Sequence, residues 1–371
     1  MESIIQWNWE KPEWPNFTWD PARLAARERA FLLHAGVTIG ATQHLGNEER
    51  EWLLVETMSN EALTTSRIEG ELLNRDSVQS SIQKQLGLQT DRRRIPPAER
   101  GIAEMMVDLY RSFAFPVSSA MLFGWHRVLV QERGDLSDIG QYRTSAEPMQ
   151  IVSGPIGRPR VHYEAPPSKR VPREMEKLIE WFNRTAPDKT GALPTLTRAG
   201  LAHLRFELIH PFDDGNGRLG RALAEKALAQ GAKRPLLTGL ASAILSHHKR
   251  YYEALEHSDR TLDATEWLDW FADLAIAAQE KSLRQVEFLL AKTKLLDRLR
   301  DQINERQRKA LLRMLEAGPD GFEGGMSAGK YSTITGASPA TTTRDLVELT
   351  DMGALERRGE RRHARYFVKL G

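Results

Sequence analysis

The sequence predicts a mainly α-helical chain with one β-hairpin in its middle and a winged helix-turn-helix at its C-terminus. Three observations predict it. Helix-compatible spacing recurs over most of the first 300 residues, and the segment 134–168 alone is rich in Gly and Pro. The last ~75 residues read helix, turn, helix and two short strands, the order of a winged helix.

Composition sets the outer limits. A chain of 371 residues suggests two or three domains at ~100–200 residues each. Charged residues make up 27% and apolar ones 40%, as in a globular protein. The net charge of +2 is too balanced to argue for nucleic acid or membrane binding by itself, and the absence of cysteine excludes disulfides, thiolate metal sites and a thiol nucleophile. No run of ~18 or more apolar residues suggests a membrane span, and the start MESIIQWNWEKPEWP lacks the apolar stretch of a signal peptide. Cytoplasmic residence is expected.

The elements follow in order. WNWEKPEWPNFTWD sets Trp7, Trp9, Trp14, Phe17 and Trp19 among prolines that disfavour helix, so an extended arm packed by its indoles is expected. A helical pattern runs from Pro21 to Leu88, with Asp20 as N-cap and Pro21 at N1. DRRRIPPAER (91–100) is a charged joint. Helices are expected over Ile102–Phe113 and Ser118–Val130. Gln150–Val152 and Arg160–Tyr163 form a hairpin around SGPIGRP. Helices resume over Val171–Asn183, Thr195–His210, Leu219–Gln230 (Gly231 as its C′ residue), Ser242–Glu256 and Thr265–Leu299. The C-terminal module is expected as Asn304–Glu316, a turn at Gly336, a helix over Pro339–Asp351, and strands Leu355–Arg358 and Arg365–Val368. The domains are therefore expected at 1–90, 91–299 and 300–371.

One stretch concentrates chemistry: HPFDDGNGRLGR, residues 210–221. The N-terminus of a helix is already electropositive through its unpaired N–H groups, and Arg218 and Arg221, three apart, add two cations on one face. That is unfavourable unless an anion compensates. Gly215 and Gly217 let the backbone turn its N–H groups inward and let a ligand approach closely. Together these features describe a polyphosphate site. Asp214 beside it suits Mg²⁺, which takes one or two carboxylates plus phosphate oxygens. His210 at the loop mouth suits a general base for a hydroxyl nucleophile, and Phe212 a buried anchor. The class of chemistry is phosphoryl or nucleotidyl transfer.

HPFDDGNGRLGR resembles the signature HPFx[D/E]GNGRxxR of the Fic (filamentation induced by cAMP) family and fits it without departure. GQYR (140–143), the hairpin near 150–163 and HKRYYEAL (248–255) also resemble parts of that fold, and the N-terminal arm resembles the small domain found ahead of bacterial Fic cores. The resemblance covers residues 50–290 approximately. It implies a Fic-fold helical core with the hairpin as a flap, and AMP transfer from ATP to a Tyr, Thr or Ser hydroxyl of a target protein. His210 would deprotonate the target, Phe212 would anchor the loop, and Asp214 would hold Mg²⁺. Gly215, Asn216 and Gly217 would cradle the phosphates, followed by Arg218, Leu219, Gly220 and Arg221, with Arg221 on the γ-phosphate. The flap would pair with the target's main chain. His247 and Tyr251 fall near the nucleotide position, His247 where many relatives carry Asn.

TSRIEG (65–70) resembles the family's inhibitory helix motif, [S/T]xxxE[G/N], and is its only match in the chain. It makes Thr65, Ser66, Glu69 and Gly70 the inhibitory residues: Glu69 would pair with Arg221 and take the guanidinium that the γ-phosphate needs. Alternatives of other kinds are a nucleotide-sensing, DNA-binding regulator and a bifunctional enzyme that also removes AMP. Partners compatible with the sequence are an unknown target protein, the chain itself as substrate, DNA at the winged helix through Arg357, Arg358, Arg361, Arg362, Arg365 and Lys369, and a second copy in a homodimer, but no membrane. GGMSAGKY (324–331) is read as a decoy P-loop, because Tyr331 stands where Ser or Thr belongs. His203 is read as structural.

Overall fold

The computed structural model describes residues 6–88, 93–153, 160–235 and 238–370. The described residues form fourteen α-helices and two two-stranded sheets, so the chain is mainly α as expected. They fall into two compact units, one from residues up to Gly36 with Glu51–Glu280, the other from Val37–Arg50 with the chain from Lys281 onward. No helix among them is long and apolar enough to cross a membrane.

The first unit centres on α7 (Thr195–Ile209) and α8 (Asn216–Ala232), which pack along each other and bury almost every residue. Both are rich in Ala and Leu, as buried helices are, and the charged residues they bury, such as Arg198, Arg221 and Glu225, are hydrogen-bonded. Around them lie the parts of α1 (Pro21–Thr42) and α2 (Asn47–Ile68) that belong to this unit, α3 (Arg75–Leu86), α4 (Pro97–Ser112), α5 (Ser119–Val130), α6 (Val171–Arg184), α9 (Leu240–Ser246), α10 (His248–Ser258) and the first part of α11 (Thr265–Leu299). Phe31, Met58, Ile82, Leu122, Phe182, Phe206, Phe212 and Phe271 fill the core. Strands β1 (Gln150–Ser153) and β2 (Arg160–Glu164) pair antiparallel, with a register shift between Ile151 and Val152. The loop expected from SGPIGRP lies, from residue 154 to 159, outside the described residues.

The N-terminal arm packs by its indoles: Trp7, Trp9 and Trp14 are buried, Trp9 Nε1 donates to Glu164 O (2.7 Å) and Trp14 Nε1 to Glu174 Oε2 (2.9 Å). It is not wholly extended, since Asn8–Glu10 make one 3₁₀ turn with the Glu10 carboxylate accepting from Trp7 N. The helical pattern from Pro21 to Leu88 is realised as three helices, with a left-handed Gly70 just after the second. Three further expectations need correction. The helix expected over Ser242–Glu256 is two, broken at His247 with φ −125°. Helix α8 begins at Asn216, not Leu219, because Gly215 supplies the positive φ that starts it. Gly231 is not its cap: the helix runs to Ala232 and Lys233 turns left-handed, while a Cβ at Gly231 would collide with Thr195, so this glycine serves close packing.

In the second unit, α12 (Glu305–Leu315), α13 (Ala328–Thr335) and α14 (Pro339–Asp351) enclose Leu311, Met314, Tyr331, Leu346 and Leu349. Strands β3 (Leu355–Arg358) and β4 (Arg365–Val368) pair antiparallel from Leu355↔Val368 to Arg358↔Arg365, and Met326 adds a bridge to Tyr366. Buried Asp345 holds the helices through Arg306 Nε (3.1 Å) and Tyr331 OH (3.0 Å). Lys330 bonds Glu323 O and Gly325 O, so GGMSAGKY folds without presenting its lysine to a phosphate.

Candidate active site

The loop between α7 and α8 is closed from within. Asn216 accepts from Phe212 N through Oδ1 (3.0 Å) and donates Nδ2 to Phe212 O (2.7 Å). Phe212 has no exposed surface and stacks on the His126 ring at 4.2 Å. Leu219 and Gly220 face the core, Gly220 close to Glu207 and His203. These contacts fix where His210 and the two arginines stand.

His210 caps α7 in the left-handed region (φ 48°, ψ 61°). Its Nδ1 lies 3.2 Å from Glu207 O, so Nδ1 carries the proton and Nε2 keeps a free lone pair. Burial pushes its pKa down to about 4; Arg143 acts in the same sense, while the Glu207 carbonyl, Glu69 and Asp214 oppose it. The imidazole is therefore neutral near pH 7, as a base must be.

Arg221, 1% exposed, donates Nε to Thr65 Oγ1 (2.7 Å) and Nη2 to Thr65 O (3.0 Å) and Glu69 Oε1 (2.6 Å). Burial works against its charge, but Glu69, Tyr251 and Glu207 outweigh burial and hold its pKa above the usual value. Glu207 is itself pushed up to about 8, mainly by burial. A Cβ at Gly217 would collide with the Glu69 carboxylate, so this glycine makes the approach of Glu69 feasible. Ser66 contributes its carbonyl, which accepts from Glu69 N (3.1 Å) and Glu71 N (3.0 Å); its hydroxyl has no hydrogen bond among the described residues. Gly70, at φ 82°, turns the chain so that Glu71 follows Glu69 toward the loop.

Glu71 was not legible in the motif, yet its Oε2 accepts from Arg218 Nη1 at 2.7 Å. Arg218 also reaches Asp214 Oδ1 (3.5 Å), and the other Asp214 oxygen pairs with Arg133. Both arginines of the loop and its candidate metal carboxylate are thus neutralised by neighbours. Arg221 Nη1 and Arg218 Nε are buried with no hydrogen-bond partner among the described residues, which fits a site built for a further anion. No group of three potential metal ligands exists among the described residues. Asp214 alone fits a Mg²⁺ bound jointly with phosphates rather than by the protein.

Of two further expected residues, His247 makes no hydrogen bond to the loop among the described residues, and Tyr251 acts on Arg221 through charge rather than by a direct bond. His247 is exposed, with Nδ1 3.1 Å from Ala243 O. Tyr251 is buried, its hydroxyl 3.0 Å from His203 Nε2. The open ring is that of Tyr252, 42% exposed, packed edge-on against Tyr251 and His248. Burial, then Glu69, push its pKa up to about 12. His126 and Arg133 were also missed, because each acts from a segment remote in sequence; Arg143 and Tyr163 lie in GQYR and the hairpin, stretches matched to the fold without a role for either residue.

Residues 116–228 match the Fic/DOC family, and residues 7–88 match a domain of unknown function, DUF4172. A probable protein adenylyltransferase of Aquifex aeolicus is 29% identical over 97 residues, 26% of this chain and 27% of that protein. The protein adenylyltransferase fic-1 of Caenorhabditis briggsae is 31% identical over 64 residues, 17% of this chain and 12% of that protein. The chain thus spans about a quarter or less of these curated relatives. The crystal structure of a Fic family protein from Desulfovibrio desulfuricans shares the fold over 96% of this chain and 98% of its own, with TM-score 0.53 and 20% identity. That of a Fic domain containing signaling protein from Bacteroides thetaiotaomicron does so over 70% and 97%, with TM-score 0.51 and 15% identity.

Proposed function

We propose that the chain is a protein adenylyltransferase held inactive by the segment that ends α2 and follows it, residues 65–71. The observation that carries the reading is the arrangement of one neutral histidine beside two buried arginines at the head of α8, each arginine occupied by a carboxylate from residues 69–71. In the reaction, a Tyr, Thr or Ser hydroxyl gives its proton to His210 Nε2. Its oxygen bonds the α-phosphorus of ATP, the bond to the bridging oxygen breaks, and pyrophosphate leaves. Arg218, Arg221 and the backbone N–H groups of 215–217 bind the phosphates. Mg²⁺ on Asp214 would neutralise phosphate charge. Strands β1 and β2 offer an edge to the target's main chain.

Glu69 inhibits by taking the guanidinium that the γ-phosphate requires, so ATP can bind only non-productively. The test is transfer from labelled ATP, comparing the parent chain, Glu69→Gly and the double variant with His210→Ala. Labelling should rise in Glu69→Gly and vanish when His210 is also lost. Unchanged labelling in Glu69→Gly sinks the inhibitory role, and no labelling in any form sinks the activity.

The C-terminal unit supports a second reading, a winged helix that contacts DNA. Thr343 and Arg344 on α14 and Arg357, Arg358 and Arg361 on the wing are exposed. A salt-sensitive gel shift with the full chain tests it, and no shift at low salt ends it.

A further inference from the structure

Helix α7 stops abruptly at His210, which leaves its last carbonyls without helical partners. Leu208 O accepts from Tyr163 OH (2.6 Å). Ile209 O and His210 O accept from the Arg143 guanidinium (3.4 and 2.8 Å), and Pro211 O accepts from Arg143 N (3.0 Å). Four consecutive carbonyls are therefore served by two residues from the hairpin region. The same guanidinium reaches Pro166 O (2.5 Å), just past β2. Arg143 is 2% exposed, and among the described residues its hydrogen bonds go to carbonyls.

We propose that Arg143 and Tyr163 are positioning residues for His210: they fix the left-handed turn that presents its imidazole and tie that turn to strand β2. The left-handed region is disfavoured for a residue with a Cβ, so the turn persists only where its surroundings over-determine it. A guanidinium spans three carbonyls as a rigid planar fork, whereas a lysine offers its three donors from a single flexible point. The bond from Nδ1 to Glu207 O exists only while the turn holds, and it is this bond that leaves Nε2 as the free base. Because Tyr163 lies on β2, a chain seated on the hairpin acts through one hydroxyl on Leu208 O, two residues before His210. The proposal rests on the reading of His210 as proton acceptor.

The test uses the full chain carrying Glu69→Gly, alone and with Arg143→Lys or Tyr163→Phe, with Mg²⁺ and α-³²P-labelled ATP. Single-turnover self-labelling gives the rate, and ATP titration gives affinity. Long-range ¹⁵N imidazole spectra at pH 7.5, with His210 assigned by its loss in His210→Ala, give the tautomer. Misplacing a reacting group by ~1 Å can cost ~100-fold, so Arg143→Lys should slow labelling by about that factor and Tyr163→Phe by about fivefold, with ATP affinity within about twofold. His210 should lose its single Nδ1–H tautomer in Arg143→Lys and show mixing in Tyr163→Phe. Parent rates in both variants, or a preserved single tautomer in folded variants, overturn the proposal. If Arg143→Lys fails to fold, Tyr163→Phe decides alone. If Glu69→Gly transfers no label, the activity assignment has failed, and the tautomer spectra still decide whether the clamp exists.

Discussion

Arginines hold both sides of the 210–221 loop, but they are satisfied in opposite ways. On the hairpin side Arg143 bonds backbone carbonyls, and burial lowers its pKa. On the α2 side Arg218 and Arg221 bond side-chain carboxylates, and Glu69 helps hold the pKa of Arg221 above the usual value. Backbone carbonyls cannot leave while the fold stands, whereas a glutamate at the end of a helix can. The first arrangement suits a scaffold and the second a switch. A guanidinium freed from its carboxylate becomes available to a phosphate; one freed from carbonyls only destroys the turn.

The largest effect should come from the fixed side. Removing the base with His210→Ala, in the Glu69→Gly chain, should cut transfer by ~10²–10⁴-fold, the usual range for losing general base catalysis. ATP affinity should change little, because the proposed reading gives the phosphates to other residues. A loss below about tenfold would mean that His210 is not the proton acceptor and that the clamp around it serves stability alone.

Next comes the removable side. Glu69→Gly frees a guanidinium that is otherwise hydrogen-bonded at 2.6 Å. A charge-assisted bond is worth ~1.5–3 kcal/mol, discounted here because the glutamate side chain is 29% exposed. A rise of ~10-fold in self-labelling corresponds to about 1.4 kcal/mol and is the expected outcome. Glu69→Gln should give a smaller rise, since the amide oxygen can still accept from Arg221.

The two sides were unequally legible in the sequence. The loop stood out as a candidate because its residues are contiguous and their types sum to one requirement, an anion on a helix N-terminus. Glu69 could be read because it ends a spaced motif. The clamp could not: Arg143 and Tyr163 lie 67 and 45 residues from the carbonyls they serve at His210 and Leu208, and no local pattern marks an arginine that will bond carbonyls. The helices followed their periodicity, and misreadings clustered at caps, where one residue's φ decides. Gly231 looked like a stop and is a packing contact; His247 looked helical and is a break.

Glu71 sharpens the comparison within the α2 side. Its bond to Arg218 is short, 2.7 Å, but its side chain is 35% exposed against 29% for Glu69, and Arg218 keeps Asp214 as a second acid. Glu71→Gln should therefore raise self-labelling by only ~2–3-fold, as expected of a partly exposed pair worth under ~1 kcal/mol. Raising salt from 0.05 to 0.5 M should bring the parent chain closer to the variant, because screening weakens exposed pairs more than buried ones. An effect equal to that of Glu69→Gly would make the two carboxylates one unit rather than a main lock and an auxiliary one.

The smallest change expected is with pH, and its smallness is informative. A histidine at its ordinary value of 6.5 would be mostly protonated at pH 5.5, and the rate would fall about tenfold below its plateau. Burial lowers the pKa of His210 to about 4, so its base form persists as pH falls and is lost only as pH passes through about 4. The groups facing it divide: Arg143 lowers the value further, while the Glu207 carbonyl bond, Glu69 and Asp214 raise it. In the Glu69→Gly chain one of the raising groups is gone, which moves the acid limb lower still. Values of kcat/KM for the Glu69→Gly chain should then differ by less than about twofold between pH 7 and 5.5, because this ratio reports the free enzyme. An acid limb centred near 6.5 would mean that the imidazole is solvated as an exposed histidine is, and that the carbonyl-held side of the loop opens as readily as the carboxylate-held side.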